Sequence, residues 1–330
     1  MPFPLSRPRR LRTSPAMREL VAETRLHTSN FVAPLFVKEG ITSPQPITSL
    51  PGVVQHSLDS LEQEVQELAS LGVRGVILFG VPEKKDDVGS GAFDPQGIVQ
   101  VALQRLEKTV GSQVVLMADL CVDEYTSHGH CGIVGKNGDV DNDLTLDVYA
   151  KIAVAQARAG AQVVAPSGMM DGQVGVIRQA LDAHGFSDVS IMAYSAKYAS
   201  GLYGPFRDAV DVSIANGGNR KGYQQDFRNA RESLVEVQAD IDQGADIVMV
   251  KPAVSYLDVI AAVREMTHLP IAAYHVSGEY AMVKAAAANG WIDHDTVALE
   301  QLTAIRRAGA DIILTYFTRW FAENHEWLCR

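Results

Sequence analysis

Two lysines at the ends of apolar runs are the residues of this chain best suited to covalent chemistry. Lys251 ends an aliphatic run that begins at Ile247 and is followed at once by Pro252, and Lys197 follows a similar run at 191–196. Such runs predict strands buried on both faces of a parallel sheet. A lysine there loses hydration, so its pKa should fall from about 10.4 toward neutrality and expose the amine that attacks carbonyl carbons. The alternative is a side chain that extends out of the strand to solvent.

A second group of reactive side chains lies in one loop and could hold a metal ion. Cys121 and Cys131 enclose Asp123, His128 and His130 within eleven residues. Zinc accepts thiolate, imidazole and carboxylate ligands, and a catalytic zinc site keeps one position open. The spacing is not that of a zinc finger. The alternative is that Cys121 is a buried strand residue and the histidines cap a turn.

The segment 198–228 is rich in basic residues and glycine, although the chain as a whole is acidic. Its cations include Arg207, Arg220 and Lys221, and its glycines include Gly217 and Gly218. Guanidinium groups bind carboxylates in bidentate geometry, and glycine permits movement. The segment therefore suits a lid that closes over an acidic substrate. The alternative is a surface loop in which the arginines pair with nearby aspartates, namely Asp208, Asp211 and Asp226.

Eight buried strands alternating with helices would position these groups. The strands are predicted at 31–37, 73–80, 114–122, 161–167, 189–196, 245–251, 271–277 and 310–317. Helical patterns lie between them, for example at 58–71, 144–159, 254–267 and 295–308, and several end in glycine immediately before a strand. This alternation predicts one α/β domain, a single (β/α)8 TIM barrel. A doubly wound sheet is the competing arrangement, but no glycine-rich phosphate motif follows the first strand.

In such a barrel the chemistry is expected at the carboxyl ends of the strands. Polar side chains do gather there, whereas the opposite ends carry mainly Gly, Ala and Val; the polar set is Asp119, Cys121, Ser167, Lys197, Lys251, Tyr274, Ser277 and Tyr316. Lys197 and Lys251 end the fifth and sixth strands and should be neighbours. Two close ammonium groups depress at least one pKa.

Composition narrows the setting and the partners. The 330 residues carry a net charge of −10, which argues against nucleic-acid binding, and no apolar run is long enough for a membrane span. Three cysteines in a chain of this length favour a reducing, cytoplasmic location. Residues 1–27 contain an arginine cluster and a short helix predicted at 17–24, and are expected to form an extended arm before the barrel at 28–330. The arm could be a disordered tail or could pack on a neighbouring subunit.

Several blocks in order resemble the delta-aminolevulinic acid dehydratase (porphobilinogen synthase) family across essentially the whole length. They are 125–132 (YTSHGHCG), 192–199 (MAYSAKYA), 203–209 (YGPFRDA), 249–252 (MVKP), 274–280 (YHVSGEY) and 307–311 (RAGAD). The resemblance implies condensation of two 5-aminolevulinate molecules to porphobilinogen, with loss of two waters, in tetrapyrrole (haem) synthesis.

The resemblance also implies roles for single residues. Lys251 would form a Schiff base with the first substrate, and Ser277 and Tyr316 would hold its carboxylate. Lys197 would engage the ketone of the second substrate. The remaining substrate-binding residues implied are Asp119, Ser167 and Tyr274 in the pocket, and Arg207, Arg220, Lys221 and Gln224 around the second carboxylate.

One position departs from the family pattern. Zinc-dependent members resemble Asp-x-Cys-x-Cys with a later third cysteine, and this chain has Asp123 at the middle position. The resemblance therefore implies zinc on Cys121, Asp123 and Cys131, although another divalent ion or no ion also fits the residues. It further implies an allosteric magnesium at Glu236 and a homo-octamer whose N-terminal arms embrace neighbouring subunits. Two other functions stay open: a class I lysine aldolase acting on a keto acid, which needs one reactive lysine, and a barrel that has lost catalysis.

Overall fold

The computed structural model describes residues 5–214 and 218–328, with side chains up to residue 325. Gly217 and Cys329 lie outside the described residues. The described residues form ten strands: β1 Phe31–Lys38, β2 Gln45–Pro46, β3 Val54–His56, β4 Gly75–Val81, β5 Val115–Leu120, β6 Val163–Pro166, β7 Ser190–Lys197, β8 Ile247–Lys251, β9 Ile271–His275 and β10 Ile312–Thr315.

Eight of these strands close into a parallel barrel. β1 pairs with β4 on one side and with β10 on the other, and β4 to β10 are each paired in chain order. The strands read as continuous apolar runs because they are buried on both faces; β4, for example, is buried at every residue. The predicted single (β/α)8 barrel is confirmed.

In the part of the chain that the structure describes, eleven α-helices accompany the strands: α1 Pro15–Leu20, α2 Leu58–Ser70, α3 Ile98–Val110, α4 Asn142–Arg158, α5 Gln173–Ala183, α6 Gly204–Ala209, α7 Arg231–Asp242, α8 Leu257–Met266, α9 Ser277–Ala288, α10 His294–Ala308 and α11 Thr318–Leu328. Their ends follow local signals. α2 is capped by Ser57, whose hydroxyl accepts the Ser60 amide, and the chain turns back toward the barrel at Gly72 with φ +87°. Among the described residues, every helix is too short or too polar to cross a lipid bilayer.

Several predicted boundaries were wrong by one to four residues, and three of them concern Ser277, the Cys121 loop and the N-terminal segment. The strand predicted at 271–277 ends at His275, since Ser277 already begins α9. The strand predicted at 114–122 is limited to Val115–Leu120, so Cys121 lies just beyond it. The helix predicted at 17–24 is Pro15–Leu20, because Ser14 accepts the Met17 amide and a proline occupies the first turn.

Two features lie outside the barrel itself. β2 and β3 form a small antiparallel pair, and β3 also pairs in parallel with the end of β1. This hairpin contacts the segment that follows β7. Gln55 of β3 donates 2.8 Å to the Ala209 carbonyl at the end of α6. The other feature is the N-terminal segment, where the 3-10 helix Pro8–Arg12 and α1 bury no residue.

Candidate active site

Lys197 and Lys251 lie side by side at the carboxyl ends of β7 and β8, where they are register partners. Each side chain is 5% exposed, so neither lysine extends to solvent as the alternative required. The Lys251 Nζ lies 4.4 Å from the ring centroid of Tyr274 and 5.0 Å from that of Tyr194. Burial, followed by the neighbouring Lys197 ammonium, lowers the pKa of Lys251 to about 7. A neutral amine is thus available at Lys251 near neutral pH.

Asp119, in β5, and Ser167, directly after β6, connect the lysine pair to the two preceding strands of the barrel. The Lys197 ammonium donates a short hydrogen bond to the Ser167 carbonyl, and the Ser167 hydroxyl donates 3.1 Å to the Asp119 carboxylate. Burial raises the pKa of Asp119 to about 6, although Lys197 and Lys251 oppose the rise. A carboxyl group with this pKa exchanges protons near neutral pH, as a proton relay must.

The three predicted metal ligands are brought together, and the histidines are not. The ligand atoms of Cys121, Asp123 and Cys131 all lie within 4.8 Å of one another, and all three side chains are buried. His128 instead accepts the His130 amide at 3.1 Å. The donor set of two sulfurs and one carboxylate oxygen fits zinc or a related divalent ion with one position open. Such a group would lie beside the lysines, because Asp123 and both lysines line the same cavity.

Asp123 has a second partner that the sequence did not predict. Its carboxylate accepts 2.7 Å from Arg220, and both side chains are at most 10% exposed. Burial alone would raise the pKa of Asp123, but Arg220 and Lys197 hold it well below its usual range. Arg220 also donates 2.9 Å to the Gly129 carbonyl. The basic segment and the candidate metal loop are therefore joined by a buried ion pair.

The described part of the segment 198–228 lines two cavities with basic and polar residues. Arg207 and Arg220 line the inner cavity with the lysines, and they also line an outer cavity of about 680 Å³ together with Lys221 and Gln224. Arg220 Nε and Gln224 Nε2 are buried donors that have no hydrogen-bond partner among the described residues. Unpaired buried donors are costly, and a substrate carboxylate would pair them.

The alternative for this segment was a surface loop whose arginines pair with nearby aspartates, and it holds only for the outer residues of the segment. Asp226 pairs with Arg228, Asp208 accepts from Ser49, and Asp211 pairs with Lys38. None of these aspartates forms an ion pair with Arg207 or Arg220 among the described residues.

Tyr274, Ser277 and Tyr316 lie on the Lys251 side of the cavity. The hydroxyls of Tyr274 and Tyr316 are 3.2 Å apart. The Ser277 hydroxyl accepts 3.0 Å from the Phe206 amide and donates 3.3 Å to the Leu202 carbonyl. Both partners belong to the segment 198–228, so Ser277 links the start of α9 to this segment.

Several residues near the lysines were missed from the sequence, among them Glu124 and Tyr194. Glu124 is buried and lines the cavity, and burial followed by Asp123 and Asp119 raises its pKa well above the usual value. Its position next to Asp123 in a strand-end loop was the available signal. The ring centroid of Tyr194 lies 5.6 Å from the Lys197 Nζ, and the same ring lies near Lys251. Strand alternation could not indicate it, because β7 shifts register between Ala193 and Ala196.

Glu236 lies apart from the lysines, on α7. It lines a third cavity between α7 and the segment 218–229, together with acidic neighbours that include Asp171 and Glu232. Burial, then Asp171 and Glu232, raises the pKa of Glu236. A cation would relieve the repulsion among these carboxylates.

Comparison with known proteins decides the family. The family model described as delta-aminolevulinic acid dehydratase matches residues 5–324. The chain belongs to this family. Delta-aminolevulinic acid dehydratase from Streptomyces coelicolor is 58% identical over 96% of both chains, and that from Mycobacterium tuberculosis H37Rv is 56% identical over 99% of this chain and 98% of its own.

A solved structure supports the same assignment to the delta-aminolevulinic acid dehydratase family. It is delta-aminolevulinic acid dehydratase (porphobilinogen synthase) from Toxoplasma gondii in complex with the reaction product porphobilinogen. It superposes with a TM-score of 0.94 at 45% identity and covers 96% of this chain and 91% of its own. The family resemblance stated from the motifs is confirmed, and the chain is an enzyme of this family.

Proposed function

We propose that this enzyme condenses two molecules of 5-aminolevulinate to porphobilinogen, with loss of two waters, in tetrapyrrole synthesis. The observation that carries the proposal is the pair of buried lysines, Lys197 and Lys251, in one cavity of a member of the delta-aminolevulinic acid dehydratase family. The Toxoplasma relative that shares the fold is described with porphobilinogen bound.

Lys251 begins the reaction in this proposal. Its neutral Nζ attacks the ketone carbon of the first 5-aminolevulinate, a carbon–nitrogen bond forms, and the ketone oxygen leaves as water. The resulting iminium withdraws electrons and acidifies the adjacent carbon, so loss of a proton gives an enamine nucleophile. Ser277, Tyr274 and Tyr316, on the Lys251 side of the cavity, are the proposed contacts of this substrate's carboxylate end.

The second substrate is placed on the Lys197 side. Lys197 engages its ketone, and the unpaired donors of Arg220 and Gln224, with Arg207 and Lys221, surround its carboxylate. Asp119, supported by Ser167, takes and returns protons between the two substrates. Arg220 can bind a substrate carboxylate in addition to Asp123, because its Nη2 donates to Asp123 while its Nε has no partner among the described residues.

We propose zinc for the group formed by Cys121, Asp123 and Cys131, and magnesium at Glu236. A divalent ion on the first group would act as a Lewis acid at the amine end of a substrate. Glu236 and its acidic neighbours would bind magnesium at a distance from the lysines and could regulate the enzyme from there. We also propose that the enzyme is cytoplasmic, from its cysteine content, and assembles as a homo-octamer through residues 1–27.

An aldolase acting on a keto acid would need only one of the two lysines and would leave the Cys121–Cys131 loop without a role. The family assignment removes the reason to prefer it, and both lysines and Arg207 are present, which argues against a barrel without catalysis.

The test is an assay with 5-aminolevulinate on protein stripped with chelator and resupplied separately with zinc or magnesium. Pyrrole product is expected after zinc addition, and elemental analysis should find the metal in the unaltered chain but not in Cys131→Ser. Cobalt substitution gives an independent readout, because a thiolate-to-cobalt absorption band requires ligation by cysteine. No pyrrole under any condition would overturn the proposed function. Pyrrole formation by metal-free protein would overturn only the role of zinc.

A further inference from the structure

Glu279 is a buried carboxylate that the reaction just described does not use. It is 1% exposed and lies in the first turn of α9. Its Oε1 accepts 2.7 Å from the Val254 amide and its Oε2 accepts 2.8 Å from the Val276 amide, with Ala253 at 3.5 Å. These amides belong to two separate loops, one after β8 and one after β9. One side chain therefore joins these two loops.

The two loops begin just beyond the last pairing between β8 and β9. β8 and β9 are paired as far as Val250 and Ala273. The next residues, Lys251 and Tyr274, carry the reactive amine and the ring that lies 4.4 Å from it. Val254 comes three residues after Lys251, and Val276 comes two residues after Tyr274.

We propose that Glu279 is a positioning residue, which holds the loops after Lys251 and Tyr274 at a fixed separation and so keeps the Lys251 amine in its reactive geometry. This inference rests on the proposed Schiff-base function of Lys251. Its physical basis is that a carboxylate has two oxygens and can bind donors of both loops at once. A displacement of about 1 Å in a reacting group can lower a rate about 100-fold.

The surroundings favour this role over simple capping of α9. An ordinary cap satisfies only amides of its own helix, as the Val276 bond does. The Val254 and Ala253 amides instead lead into the 3-10 turn Val254–Tyr256, so they belong to the start of another helix. Burial raises the pKa of Glu279 to about 7, and the backbone amides oppose the rise. Burying a carboxyl group is unfavourable unless hydrogen-bond donors pair with it, and here the amides of the two loops are those donors.

The test compares Glu279→Gln with the unaltered enzyme. Glutamine has nearly the same shape, but only its oxygen can accept, so one of the two loops loses its partner. We expect kcat, and the rate at which borohydride traps 5-aminolevulinate on Lys251, to fall together by about 10- to 100-fold. KM should change less than kcat, because Arg220 and Gln224, proposed contacts of the second substrate's carboxylate, lie outside both loops.

Val283→Ala is the matched control, since Val283 is also buried in α9 but contacts neither loop through a polar group. It should lower the melting temperature while trapping and kcat stay within about twofold of the unaltered enzyme. Normal trapping in a folded Glu279→Gln variant would overturn the proposal. So would an equal loss of trapping in Val283→Ala.

Hydrogen exchange on the unaltered chain decides the case if Glu279→Gln does not fold. The amides of Val254 and Val276 should be protected together, and exchange at the rate of free amides would overturn the proposal. The proposed function fails separately: in that case the unaltered enzyme forms no pyrrole and is not trapped at Lys251, whatever the result for Glu279.

Discussion

The chemistry of the lysine pair arises from where two ordinary side chains are placed. Lys251 is surrounded by aromatic rings, with Tyr194, Tyr203, Phe206 and Tyr274 all within 5.3 Å of its Nζ. Aromatic rings attract a cation less strongly than a carboxylate does, because they carry no formal negative charge. Burial and Lys197 therefore dominate, and the amine is kept close to its neutral form.

Replacing Lys251 should abolish activity and stabilise the fold. The folded pKa is about 7 and the unfolded pKa about 10.4, so between these values the unfolded chain binds a proton that the folded chain does not. Stability thus rises with pH across this window, and the full cost of Lys251 is felt below pH 7. We expect Lys251→Met to lower kcat by more than about 10⁴-fold and to raise the melting temperature at pH 6, with a smaller gain at pH 10.

Thermal melts at pH 6 and pH 10 measure the change in melting temperature, with the exposed Lys108→Met as the control. That variant should show no gain at any pH. Near-normal turnover by Lys251→Met would remove Lys251 from the mechanism, and a lower melting temperature at pH 6 would contradict the stated cost of burial.

The pH dependence of Schiff-base formation should report the same pKa. Below about pH 7 the borohydride trapping rate should fall roughly tenfold per pH unit, since only the neutral amine attacks, and above pH 7 it should level off. Lys197→Met removes a neighbouring positive charge, so the midpoint should move to higher pH. A trapping rate that is flat between pH 5.5 and 8, or a midpoint unmoved by Lys197→Met, would contradict this account.

At the scale of elements, the strand ends were predictable and the contacts between loops were not. Continuous apolar runs located all eight barrel strands, because burial on both faces leaves a local signal. Lys197 and Lys251 became neighbours by barrel topology alone. The Arg220–Asp123 ion pair joins residues 97 positions apart, and no periodicity indicates such a pairing. The register shift in β7, which turns Tyr194 toward Lys197, likewise leaves no pattern in the residue types.

The Arg220–Asp123 pair should hold the lid segment on the barrel. Breaking a buried ion pair from one side costs about 3–5 kcal/mol, because the remaining charge stays buried without its partner. We expect Arg220→Ala to raise KM at least about tenfold and to speed proteolysis within residues 198–228. Limited proteolysis with mass spectrometry measures the second effect.

Arg228→Ala is the control for the lid, as Arg228 lies in the same segment but pairs locally with Asp226 at the surface. Exposed pairs of this kind contribute little. Equal proteolysis of both variants would show that the Asp123 contact does not hold the lid.

At the scale of the whole molecule, charge is distributed unevenly. The chain has a net charge of −10, whereas its cavity sets two lysines and two arginines against three carboxyl groups, those of Asp119, Asp123 and Glu124. The N-terminal residues 1–27 are also basic, with six arginines and two glutamates. A basic arm and an acidic body attract each other between copies, at long range and in a salt-dependent way.

The arm should therefore carry the association of subunits. Leu5, Leu11 and Leu20 are 69%, 53% and 78% exposed, which is a large apolar area for residues that bury nothing within their own subunit. A truncation that removes residues 1–23 spares the buried Leu26 and should leave the barrel folded. We expect light scattering to give an octamer for the full chain and a smaller assembly for the truncated chain. Trp291→Ser, which removes an exposed apolar side chain outside the arm, should keep the full-length mass. An unchanged mass after truncation would place the subunit contacts on the barrel, and the basic arm would then be the free tail that its sequence also allowed.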